Sequence, residues 1–184
     1  MAMAARRSKR LVIDASVARS AGRENAIDPT SVYCRDFLKA VRTICHQIVM
    51  TQEIGEEWQR HQSSFARQWL LSMTARRKVY RLGDVLDSDL RGRIERVASS
   101  ERAAEAIRKD YRLIEAAIVT DRIVISLDET VRRLFAVIAR DVGALKSIAW
   151  VDPDKAEEQP LLWLENGATL EKKRLLGFRA GGSR

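Results

Sequence analysis

The chain is 184 residues long, with 46% hydrophobic and 32% charged residues and only 9 Gly and 3 Pro, so it is neither disordered nor low in complexity. That length supports one domain with a real core and a short appendage, but not two full domains. Its 33 Lys and Arg against 25 Asp and Glu give a formal charge of +8, rich in Arg, which suits a phosphate-bearing partner and serves solubility or an acidic protein partner equally well.

No apolar run approaches the roughly 20 residues that cross a bilayer. The N-terminal "MAMAARRSKR" is basic but has no apolar core before Asp14, so it does not read as a secretory signal. A cytoplasmic protein with a flexible basic N-terminus, residues 1–8, is expected. Residues 10–14, "RLVID", are almost wholly apolar up to the aspartate rather than alternating, the pattern of a parallel strand covered on both faces. Similar runs recur at 46–50, 122–128 and 147–153.

Helical patterns lie between these runs. Asp28 followed by Pro29 reads as an N-cap with proline at the first helical position, opening an amphipathic helix with Val32, Tyr33, Phe37, Ala40, Val41 and Ile44 on its apolar side. Cys34 and Cys45 fall 11 positions apart in that helix, about 16 Å along its axis, too far to bridge. No Cys/His spacing suggests zinc. Thr51 caps a second helix over 51–73, with Ile54, Trp58, Phe65 and Trp69 on one face. Residues 74–98 read as two short helices around "LGD". A third long helix over 99–121 carries Ala103, Ile107, Ile114, Ala117 and Ile118 on one stripe, and 128–141 forms another.

Strands separated by helices predict an α/β domain over 9–153 with a mainly parallel sheet and its functional groups at the strands' carboxyl ends. Beyond Pro153 the chain becomes polar, then apolar, then basic, which marks 154–184 as an appendage with a flexible basic end. Its Leu161, Leu162, Trp163 and Leu164 are expected to pack back on the domain.

Four acids draw attention. Asp14 ends the first strand-like run and Asp128 ends the third, so a parallel sheet sets them at equivalent strand ends. On a helical projection with Ile54 as zero, Trp58, His61 and Phe65 fall within about 40°, Glu57 about 60° to one side, Glu53 about 100°, and Glu56 opposite. Glu57 is thus the acid best placed at the edge of the buried face. Asp110 lies between Ile107 and Ile114 in the i, i+3, i+4 pattern, along the apolar stripe. Each acid has a plain alternative: a strand-end turn for Asp14 and Asp128, a solvated flank for Glu57, a cap or a partner for a buried Arg for Asp110. Taken together, four acids converging on one edge would repel unless a cation sat among them, and oxygen-only ligands select Mg²⁺ or Mn²⁺.

The stretches "LVIDASVARSAG", "IVMTQEIGEEW", "KDYRLIEAAIVTDRIVISLDETVRRLF" and "IAWVDP" resemble, in order and spacing, the PIN domain family of ribonucleases, including the VapC-like toxins of toxin-antitoxin pairs. The resemblance covers roughly residues 9–153. It implies a PIN-like α/β/α sandwich with Asp14, Glu57, Asp110 and Asp128 as metal ligands and catalytic acids. Ser16 and Ser126 would hold a carboxylate from behind. Glu115 departs from the family's usual small residue, Glu53 and Glu56 compete with Glu57 for the second acid, and the tail is longer than in minimal toxins.

The activity implied is metal-assisted hydrolysis of RNA phosphodiesters, with Arg19, Arg23, Arg60, Arg76 and Arg77 as candidates to carry the RNA backbone; each is also an ordinary solvated arginine. The resemblance further implies a homodimer and, for a toxin, an antitoxin partner. The competing reading is a catalytically silent PIN-fold module that binds nucleic acid or protein.

Overall fold

Leu11, Val12 and Ile13 have no exposed surface, and successive strand side chains point to opposite faces, so both faces of the strand Arg10–Ile13 (β1) are covered. The computed structural model describes residues 8–83 and 85–178. Of the flexible basic N-terminus expected over 1–8, all but Ser8 lies outside the described residues, as do 179–184 at the basic end of the appendage.

After β1 come Ala15–Ser20 (α1), Pro29–Thr43 (α2), Gln47–Met50 (β2), Gln52–His61 (α3), Ser64–Ala75 (α4) and Val79–Arg81 (β3). Then follow Ser88–Val97 (α5), Glu101–Arg108 (α6), Tyr111–Ile118 (α7), Ile123–Ile125 (β4), Glu129–Ile138 (α8), Ala149–Val151 (β5) and Pro160–Glu165 (α9). The five strands form one all-parallel sheet in the order β3-β2-β1-β4-β5, flanked by helices: an α/β/α sandwich. The chain builds outward from β1 through β2 to β3, then returns to β1's other side with β4. The crevice between β1 and β4 is therefore a topological switch point, where open parallel sheets bind their ligands.

Local chemistry explains the helix starts. The Asp28 carboxylate accepts from the Ser31 N–H ahead of Pro29, and Thr51 and Ser63 cap α3 and α4 in the same way. The expected single helix over 51–73 is two, because Gln62 is extended and Ser63 restarts the helix. The expected helix over 99–121 is also two, broken at Lys109 and Asp110. The region 74–98 contains one helix, α5, together with the edge strand β3 that the short "VYR" run had concealed. Helix α2 stops at Thr43, so Cys45 lies beyond its end while Cys34 is a buried thiol within it.

Helix α7 packs across β1 and β4, and α2 packs with α1, α4 and α9. The segment 154–178 lies against the domain. Trp163 and Leu164 are buried, His46 bonds the Leu164 carbonyl, and the Leu176 N–H donates to the Ile148 carbonyl. Leu161 and Leu162, by contrast, face outward.

Candidate functional site

Strand β1 hands the chain to Asp14, whose N–H donates to the Ile125 carbonyl of β4 at 2.9 Å, so the backbone there is still held in the sheet. Its side chain is only 9% exposed. Oδ2 accepts from the Ser16 hydroxyl at 2.5 Å and from the Ser126 hydroxyl at 3.1 Å. The same two hydroxyls receive backbone N–H groups of the turn after β4, Ser16 from Leu127 at 3.3 Å and Ser126 from Asp128 at 3.1 Å. Two serines thus lock Asp14 to the 126–128 turn and set one carboxylate oxygen in place, while Oδ1 accepts nothing among the described residues.

The other acids arrive on separate elements. Asp128 is the N-cap of α8, with Oδ1 accepting from the Val131 N–H at 2.9 Å. Asp110 occupies the N-cap position of α7, yet its side chain makes no capping bond. Glu57 comes from the middle of α3, which is pinned to β1 where Trp58 Nε1 donates to the Ile13 carbonyl at 2.9 Å. Asp14, Glu57, Asp110 and Asp128 line one cavity of about 290 Å³ together with Ser16, Arg19, His61, Lys109 and Arg112.

The electrostatics reflect that convergence. Burial foremost, together with the charges of Asp14, Asp128 and Glu57, pushes the Asp110 carboxyl up to about 7 against the opposing pull of Arg112. Among the described residues, however, no three His, Cys, Asp or Glu side chains stand so as to hold a metal ion as they lie. Two of the acids are engaged elsewhere: Glu57 pairs with Arg60 at 3.0 Å and His61 at 3.2 Å, and Asp128 spends one oxygen on its cap. The donor chemistry, oxygen-only and anionic, fits a hard divalent ion; the carboxylates surround a shared space without closing on it.

Of the candidate arginines, Arg19 lines the acid cavity, and Arg60 lines an adjoining one of about 260 Å³ with Glu53, Glu56, Glu57, Arg91, Arg108, Lys109 and Arg112. Arg23, Arg76 and Arg77 line neither. Arg76 and Arg77 precede β3, at the amino edge of a parallel sheet whose carboxyl edge bears the acids. Sequence reasoning passed over Lys109 and Arg112, although both flank Asp110; on one unbroken helix over 99–121 the two share a side about 60° apart, turned away from Asp110. Glu115, the departure from the family pattern, is 2% exposed and grips Arg91 through two bonds of 2.7 Å while accepting the Asp87 N–H. A larger cavity of about 620 Å³, between α8 and residues 176–178, contains no acid.

No family model matches the chain, and no curated protein matches it. What the fold and the cavity define is a class: a parallel α/β domain with an acid-lined crevice at its switch point. Among the described residues no helix is long and apolar enough to cross a membrane.

Proposed function

We propose that this chain is a PIN-type endoribonuclease that hydrolyses RNA phosphodiesters with the help of Mg²⁺ or Mn²⁺. The observation that carries the reading is that four acids, delivered by β1, α3, the start of α7 and the start of α8, line one cavity at the β1–β4 switch point. Asp14, Glu57, Asp110 and Asp128 would hold the ion, which when bound supplies an activated water and offsets charge on the phosphate. Ser16 and Ser126 hold Asp14 through Oδ2, which leaves Oδ1 for a cation. Without an ion, burial and its acidic neighbours hold the Asp110 carboxyl up at about 7; a divalent cation among the four acids would relieve that repulsion and favour the ionised, ligating form. A cytoplasmic location, a homodimer and restraint by an antitoxin belong to the same reading through the family resemblance.

The test is RNA cleavage with Mg²⁺ or Mn²⁺ by the wild type and by folded Asp14→Asn and Asp128→Asn variants. Each substitution is expected to lower the rate by at least about a hundredfold, a loss that even an outer-shell partner of a metal ligand can cause. Unchanged cleavage would sink the proposal.

One observation favours the silent-module reading: Glu57 is already paired with Arg60 and His61. Calorimetric titration with Mn²⁺ separates the two, since a silent scaffold binds no ion in a manner that Asp14→Asn abolishes.

A further inference from the structure

The cations around the acid crevice are not equivalent. Arg60 is spent on Glu57, Arg91 on Glu115, and Arg108 on Glu95 and Glu101. Lys109 and Arg112 make no ion pair among the described residues, yet both line the acid cavity and also the adjoining one, so they stand where the two spaces meet. Arg112 donates through one terminal nitrogen to the Lys109 carbonyl, and its Nε is buried with no acceptor. A guanidinium held this way is anchored through one terminal nitrogen and, beyond its pull on the Asp110 carboxyl, makes no ion pair among the described residues. Desolvating a donor without a partner is costly, so such groups usually await one.

The adjoining cavity mixes both charges: α3 gives it Glu53, Glu56, Glu57 and Arg60, while Arg91, Arg108, Lys109 and Arg112 come from other elements. With Arg60, Arg91 and Arg108 already ion-paired, Lys109 and Arg112 are the cations of this lining left for an entering anion among the described residues. The break between α6 and α7 makes this possible, because it brings both cations beside Asp110.

We propose that Lys109 and Arg112 form a phosphate subsite beside the acid crevice, taking a phosphodiester next to the one being cleaved, so that the RNA strand leaves the crevice along the groove between α3 and α7. The chemistry is that of a strand phosphate gripped by a guanidinium fork and an ammonium. The choice of RNA rests on the nuclease reading above, but the subsite is tested without cleavage.

The experiment measures fluorescence anisotropy of a labelled short single-stranded RNA with the full chain in metal-free buffer, across a salt series. Compared are the wild type, the pair K109Q/R112Q, and the pair R76Q/R77Q, which removes the same charge from the sheet's opposite edge. Circular dichroism and melting checks all three for folding. K109Q/R112Q is expected to weaken binding about tenfold and to lower the slope of log affinity against log salt by about 1 to 2, while R76Q/R77Q stays within about twofold of the wild type. Equal losses from both pairs would mean attraction by net charge alone and overturn the subsite, as would no loss from K109Q/R112Q or no RNA binding by the wild type. A wild type that binds RNA in this way yet fails to cleave it with Mn²⁺ overturns the nuclease reading and leaves the subsite standing.

Discussion

Asp110 carries an unusual load for one residue. It sits at a helix N-cap without using its carboxylate as a cap, in a buried position facing three other acids. Its folded pKa of about 7 lies above the ordinary 3.8 of an aspartate, so the folded state binds more protons than the unfolded state between those values. Stability is then fully present below the unfolded pKa and falls as pH rises through about 7. Asp110→Asn, neutral at every pH, escapes that loss. In metal-free buffer it is expected to melt with the wild type near pH 4 and several degrees above it at pH 8, a difference of about 2–4 kcal/mol at most. Melting curves across pH check this, and a constant offset would contradict it. Asp128 shows the opposite economy, capping α8 with one oxygen while lining the crevice, so a cap and a ligand need not be rival readings.

At the scale of elements, the two helix breaks did most to shape the site. The break at Gln62 and Ser63 escaped the periodicity because α3 and α4 both bury their apolar faces in the same core, and Trp58 of α3 stacks on Trp69 of α4 with centroids 5.9 Å apart. A stripe that continues through a turn looks unbroken in sequence. Ser63 was the available signal, a capping residue just ahead of an apolar run. Glu115 shows a second element-level device, tying α7 to α5 through Arg91 and to the loop before α5 through the Asp87 N–H. Arg91→Ala leaves a carboxylate that is 2% exposed without its cation and is expected to cost about 3–5 kcal/mol. Glu115→Gln leaves an arginine that is 29% exposed, reachable by water, and should cost clearly less. Urea denaturation of the two variants gives the order, and equal costs would argue that the pair is held by packing alone.

On the scale of the whole molecule, residues 154–178 are bound into the domain. The backbone of Leu175 bridges Ala149 of β5, Trp163 is 2% exposed, and α9 rests on α2. Trp163→Ala is expected to remove about 3–5 kcal/mol and to lower one cooperative transition, seen alike by calorimetry and circular dichroism. A separate early transition with the main one unmoved would show that the tail folds by itself. The sheet sets the larger geometry: its strand order puts β1 beside β4, and so joins acids more than a hundred positions apart in sequence.

Local pattern along the chain was enough to read the class of fold and to single out the four acids. Uninterrupted apolar runs separated by amphipathic stretches admit few architectures besides a covered parallel sheet, and an aspartate at the end of such a run is conspicuous because burial tolerates no idle charge. It also picked Glu57 over Glu56 by angle, since a helix face is a local property. It took the fold to bring the four acids into one cavity, to spend two serine hydroxyls on Asp14, to pair Glu57 with Arg60 and His61, and to leave Lys109 and Arg112 beside Asp110 with no ion pair among the described residues. Those facts depend on strand order and on where helices break, which are settled by contacts between residues far apart in the chain; local pattern, which acts over a turn or two, has no means of recording them.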